Sequence, residues 1–171
     1  MKKIFFLIIS GSLLFSPIDV FGEDRNLMKL NLTGSCAGCN LKEVDLSGVN
    51  LVNANLSGAN IEGANLSGVN LVDANLSGAN IEGANLTGAR IYGANLEGAN
   101  LSNAKLRKVF FVLKMYDRNS NLLEELVRSA NLSGADLSGA DLSRTDLSYV
   151  LLKNTNLSGA NLSGANFKEA N

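Results

Sequence analysis

Every fifth residue from Leu41 to Leu106 is Leu or Ile, and the same rule resumes one residue out of phase at Leu132 and runs to Phe167. An amphipathic strand repeats every two residues and a helix every 3.6, so neither face accounts for a period of five. A strict short repeat of this kind dictates a stacked, quasi-one-dimensional architecture.

The unit reads A(N/D)LSG, as in Ala54-Asn55-Leu56-Ser57-Gly58. Two residues before each large apolar centre stands a small or β-branched one, such as Val44, Ala59, Val69, Ala84, Ala135 or Thr145, which suits a second, narrower inward site. Thirteen of the 17 glycines fall two residues after a centre, from Gly48 to Gly164. A glycine recurring there marks a turn of the backbone in every unit. Residues 45–64 match residues 65–84 except at Asp45/Asn65 and Asn53/Asp73, so the duplicated length is 20 residues and four pentapeptides make one coil. Stacking such coils aligns Leu46, Leu66, Leu86 and Leu106 in one inward column and Leu41, Ile61, Ile81 and Leu101 in another. With coils about 4.8 Å apart, the roughly 22 units make a rod on the order of 26 Å long.

These residues resemble the pentapeptide-repeat family, and the motif covers about two thirds of the chain. The resemblance implies an all-β repeat fold, a right-handed quadrilateral β-helix whose core holds the central Leu or Phe and the small residue two before it. The stretch from Leu30 to Leu41, which includes Cys36-Ala37-Gly38-Cys39, also resembles the lead-in of exported cyanobacterial members.

Met1-Lys2-Lys3 followed by the apolar run Ile4 to Phe15 and by Val20-Phe21-Gly22 has the layout of a secretory signal peptide. The run is shorter than the ~20 apolar residues needed to span a bilayer. Residues 1–22 are therefore expected to be removed on export, to the periplasm or, by the cyanobacterial resemblance, a thylakoid lumen. No membrane association is expected after cleavage. Without Lys2, Lys3 and Asp19, 13 basic and 15 acidic residues remain. That near-neutral balance points away from nucleic acid as a partner.

Five segments follow: the signal peptide at 1–22, an N-terminal cap with the cysteine pair at 23–40, a first array at 41–111, a loop-helix insertion at 112–129 and a second array at 130–171. In the cap, Leu27 and Leu30 share one face of a short helix starting near Asp24. In the insertion, Asn121 and Glu124 have the spacing of a capping box for a helix over 122–129. The array breaks off at Asn171, midway through a unit, and an end-to-end homodimer through the C-terminal coil is one expectation for that end.

Candidate chemistry is sparse. The chain has no histidine, the commonest general base, and no cofactor or metal site is expected. Cys36 and Cys39 both fall at inward positions, and in an oxidising compartment a structural disulfide is expected, with two reduced core thiols or thiol-disulfide activity as alternatives. Asp136, Asp141 and Asp146 are one corner apart and point from three different faces, so they do not converge on an ion. The surface anomaly is a column of outward apolar residues, Val52, Val72 and Tyr92, joined by the exposed positions Tyr149 and Leu151 in the second array. Either the insertion covers this column, a protein partner does, or it is ordinary surface apolarity. The expected function is a non-enzymatic module that presents a surface to an unidentified protein. A gyrase-interacting mimic of DNA, as in one branch of the family, is the alternative, disfavoured by near-neutral charge and the export signal.

Overall fold

The computed structural model describes residues 22–114, 119–120 and 127–171. One helix, α1 (Gly22–Thr33), precedes a continuous parallel stack of coils. Bridges join residues 20 apart, from Ser35↔Asn55 and Asn40↔Asn60 onward, so each coil is four pentapeptides long. Each coil is pinned to its neighbours by backbone bonds in register. The Asn60 N–H donates to the Cys39 carbonyl (2.8 Å), the Ile61 N–H to the Asn80 carbonyl (2.6 Å) and the Gly63 N–H to the Glu82 carbonyl (2.8 Å).

The corner follows from the same few residues. The Ala64 N–H closes back on the Ile61 carbonyl (3.2 Å), and Gly63 between them has φ +63°, as a type II turn requires at its third residue. Where glycine is missing at this place, Asn53, Asp73, Asn103 and Asn154 adopt the same left-handed conformation, which short polar side chains tolerate best. Glu43, Lys108, Arg144, Tyr149 and Glu169 adopt it too, against their intrinsic preference.

The asparagines at the bridging positions do two jobs. Asn60 Oδ1 accepts the N–H of Glu62 (3.2 Å), which braces the turn, and the Nδ2 of Asn80 in the next coil (3.3 Å). Asn100 continues that ladder by donating to Asn80 Oδ1 (3.0 Å). Aspartates occur where the residue need only accept. Asp136 receives the Ser138 N–H (2.9 Å) and the Asn156 Nδ2 (3.0 Å), and Asp141 is held likewise by Ser143 and Asn161. These carboxylates are structural acceptors as well as solvated groups.

Inside, central residues such as Leu56, Ile61, Leu76 and Leu96 have no exposed surface, and the alanines beside them fill the narrow sites. Where a threonine takes a narrow site, its hydroxyl is satisfied by a carbonyl in a neighbouring coil: Thr145 by Leu106 and Thr155 by Leu132. Leu27 and Leu30 of α1 join the core at the stack's N-terminal end. At the other end Leu152, Leu157 and Leu162 are only partly buried, and Phe167 is 36% exposed.

The phase break is a clean insertion. Phe111 still occupies a central core site with no exposed surface, and the chain leaves after it. Asn95 pairs with Asn131, 36 residues on rather than 20, so 16 residues leave the stack without interrupting it. At the base of the excursion β1 (Val112–Leu113) pairs antiparallel with β2 (Arg128–Ser129). This corrects the expected helix over 122–129 at its end, because Arg128 and Ser129 are extended. The cross-strand bonds and the Ala130 N–H to Phe111 carbonyl bond (2.9 Å) supply the partners a helix would otherwise have given them. Residues 122–126 of that expected helix lie outside the described residues.

The acceptor role of the aspartates has a measurable consequence. Asp136 is held below the usual carboxylate range by the Ser138 N–H, then the Ser138 hydroxyl and Asn156, and Asp141 by the Ser143 hydroxyl and N–H, with help from Arg107. Both groups thus bind protons less readily folded than unfolded. Their contribution is present above the unfolded value of about 3.9 and is lost as pH falls through the lower folded value. Asp136→Asn/Asp141→Asn keeps both acceptors without a titratable proton. On melting by circular dichroism at pH about 5 and about 2, the double variant should lose less Tm than the parent; equal losses contradict the assignment.

Candidate interaction surfaces

The helix α1 roofs only part of the first coil. Asn26 Nδ2 donates to the Asn40 carbonyl (3.0 Å), and the Asn26 carbonyl oxygen lies 3.1 Å from Cys36 Sγ. Cys36 and Cys39 sit beneath, at 0% and 6% exposure, with Cα atoms 5.2 Å apart and their sulfurs joined. A bridged sulfur has no proton to donate, so the contact with Asn26 is packing and not a hydrogen bond. The turn that carries the pair is closed by the Cys39 N–H on the Cys36 carbonyl (3.0 Å), with Gly38 at φ +67°.

Beside the helix the first coil stays open. A groove of about 700 Å³ runs between Leu27 and Leu30 on one wall and a floor of Leu46, Val49 and Leu51, with Val52 at its margin. Val49 is partly exposed and Val52 is 38% exposed. Their equivalents in the next coil are buried, Val69 with no exposed surface and Val72 at 8%. The groove is thus apolar because it is floored by core positions that no coil covers.

The outward column behaves differently along its length. Val52 is open, Val72 is buried to 8% and Tyr92 is half-buried, so the column is not the continuous exposed stripe its sequence suggests. Val72 is corrected from a surface contact to a buried residue. The insertion's base meets the stack beside it. Arg128 pairs with Asp73, and the Gly93 N–H donates to the Ser129 carbonyl (3.2 Å). Tyr149, also half-buried, lies under Lys114, whose Nζ is 5.8 Å from the ring centroid and 2.9 Å from Asp146 Oδ2. Leu151 is 43% exposed, on a bridging position paired with Asn131. The five expected surface residues therefore do not form one patch.

Besides Met28 and Leu32 on α1, 44% and 76% exposed, and Phe167 at the far end, two apolar features were not among the expected residues. One is the groove, against whose floor Leu46 and Leu51 stay buried as ordinary core while Val49 is partly exposed. The other is Phe110, 54% exposed on a bridging position where Asn70 stands two coils earlier. Its replacement of asparagine is a visible departure in the sequence. Among the described residues no group of three or more His, Cys, Asp or Glu is placed to hold a metal, and no helix is long and apolar enough to cross a membrane.

A model of pentapeptide repeats matches residues 35–71, 70–107, 118–148 and 145–171, in eight copies. Among solved structures, QnrB1, a plasmid-mediated fluoroquinolone resistance protein, is 21% identical with a TM-score of 0.67, over 81% of this chain and 63% of that one. The present chain thus spans less than two thirds of its length. Rfr23, a pentapeptide-repeat protein from the cyanobacterium Cyanothece 51142, is 27% identical with a TM-score of 0.49, covering 86% of this chain and 97% of that one. A pentapeptide-repeat protein from the Arabidopsis thaliana thylakoid lumen is 25% identical with a TM-score of 0.25, over 75% and 65%. No curated protein matches the sequence.

Proposed function

This chain belongs to the pentapeptide-repeat family, whose members fold as right-handed quadrilateral β-helices and serve generally as structural or interaction modules; from that premise we propose that it is an exported, non-enzymatic module that binds a protein partner. The observation that carries the reading is the groove between α1 and the first coil. A soluble coil stack ordinarily covers its terminal apolar face, because open ends invite association. Here the cover is partial, and the groove, floored by buried Leu46 and Leu51 and partly exposed Val49 with exposed Val52 at its margin, is a concave apolar site of the size that binds side chains of a partner.

Export rests on the basic start, apolar run and small residues of the first 22 positions. In an oxidising compartment the Cys36–Cys39 bridge is a permanent clasp under α1. Burial of both sulfurs favours this over thiol-disulfide exchange, which needs an accessible, activated thiolate. The alternative of a gyrase-directed mimic of DNA finds no comparable support, since the fold likeness to QnrB1 is at 21% identity and the net charge here is only −1.

Two experiments test the reading. In a free-thiol titration the protein should show no reactive thiol either native or denatured, and two after reduction; two thiols released by denaturant alone would refute the bridge. For the groove, the protein is cross-linked in its native compartment and recovered with what it holds. Val52→Lys should abolish the partner's recovery and leave the melting temperature within about 2 °C, since the residue is exposed and a surface change of this kind alters stability little. Undiminished recovery with the variant removes the groove as the binding site.

A further inference from the structure

Charge is not evenly spread over the coils. Residues 105–110 lie directly over residues 141–146, as the bridges Lys105↔Asp141 and Phe110↔Asp146 show. Lys108 therefore stacks on Arg144, in a corner column that glycine holds at residues 48, 68, 88 and 164. Both cations take the left-handed conformation, φ 56° and 57°, that glycine adopts there without strain. Two like charges in adjacent coils are thus held at positions where the backbone would be better served by no side chain at all.

More cations surround them. Lys105 and Arg90 are exposed, and the Arg107 side chain is 59% exposed. The acids nearby are engaged elsewhere or weakly. Asp146 pairs with Lys114 at 2.9 Å, and Asp141 lies 3.9 Å from Arg107 Nε. On the face beyond the corner stands Phe110, 54% exposed, with Arg90 before it and Asp146 after it in the same bridging column. A chain of net charge −1 thereby carries one strongly basic corner with an apolar flank.

We infer that this corner is a docking surface for a short acidic segment of a protein, whose carboxylates meet Lys105, Lys108 and Arg144 while an apolar side chain packs on Phe110. Like-charge repulsion within the corner is relieved when carboxylates arrive, so the free protein is preset for such a ligand. A protein segment fits better than nucleic acid. A single exposed aromatic offers no succession of stacking platforms for bases, and a long polyanion would run beyond the corner onto a surface where Glu43, Glu62 and Glu82 are also displayed. This surface is distinct from the groove, so either can fail without the other.

The test is fluorescence anisotropy with the full chain and a labelled peptide, Glu-Glu-Glu-Leu-Glu-Glu-Leu-Glu-Glu-Glu. The peptide should bind at an ionic strength of about 0.01 M and weaken at about 0.15 M, where the screening length shrinks from about 30 to about 8 Å. Lys108→Gly/Arg144→Gly restores the glycine of that column, so its melting temperature should equal or exceed the parent's while affinity falls about tenfold or more. Phe110→Ser should weaken binding at both salt concentrations, and Lys153→Gln, placed on another face, should change nothing. Undiminished affinity in the double glycine variant overturns the proposal, as does equal loss in Lys153→Gln. Tighter binding of a single-stranded oligonucleotide of matched charge overturns it in favour of nucleic acid.

Discussion

The parallel backbone ladder between coils is the constraint on which the rest depends. It works only if each coil returns to register after 20 residues, which in turn requires a sharp corner every five. The corner is made by one residue at positive φ and one turn-closing N–H, and the bridging asparagines brace it with their side-chain oxygens. Inward packing then follows automatically, because the centre and the residue two before it are the only ones aimed at the interior. Since neighbouring coils bond through backbone, the outer side chains other than the bridging asparagines and aspartates are released from structural duty.

The 16-residue excursion shows how firmly the ladder holds register. Phe111 completes its place in the core before the chain departs, and Ala130 re-enters with its N–H on the Phe111 carbonyl. The antiparallel β1–β2 pair closes the neck, so the stack on either side does not register the length of what lies between. Lys114 and Arg128 then tie the neck to Asp146 and Asp73. Exposed pairs of this kind contribute little stability each, and their value is in orientation.

Much of this was legible in the period and little of it in individual residue types. The duplication of residues 45–64 in 65–84 yields the coil length, and the glycine positions yield the corners, because both are direct images of the backbone geometry. The phase shift between Leu106 and Leu132 reveals an insertion, yet the extended pairing of Arg128 and Ser129 depends on contacts with Val112 and Leu113 that no local propensity encodes. Val72 has the same outward register as Val52, and the two differ because the stack's surroundings differ at their two levels. The groove is invisible for a related reason. Leu46 and Leu51 are ordinary core residues by pattern and stay buried, and only the limited reach of α1 leaves a groove against them. Phe110 is the exception, a residue whose outward position and apolar character were both present in the sequence and whose basic neighbours give it meaning.

The central claim is that one uninterrupted ladder runs through the insertion, and native-state amide hydrogen exchange addresses it at single residues. The N–H groups of Asn131 and Asp136 are bonded to Ala94 and Ala79's successor coil at Ala99 as firmly as those of Asn95 and Asn100 are to Ala74 and Ala79. All four should exchange in the same slow class, opening with one common free energy. If Asn131 and Asp136 exchange together in a separate, much faster class while Asn95 and Asn100 stay protected, the stack is two units joined at the neck and the single ladder is wrong.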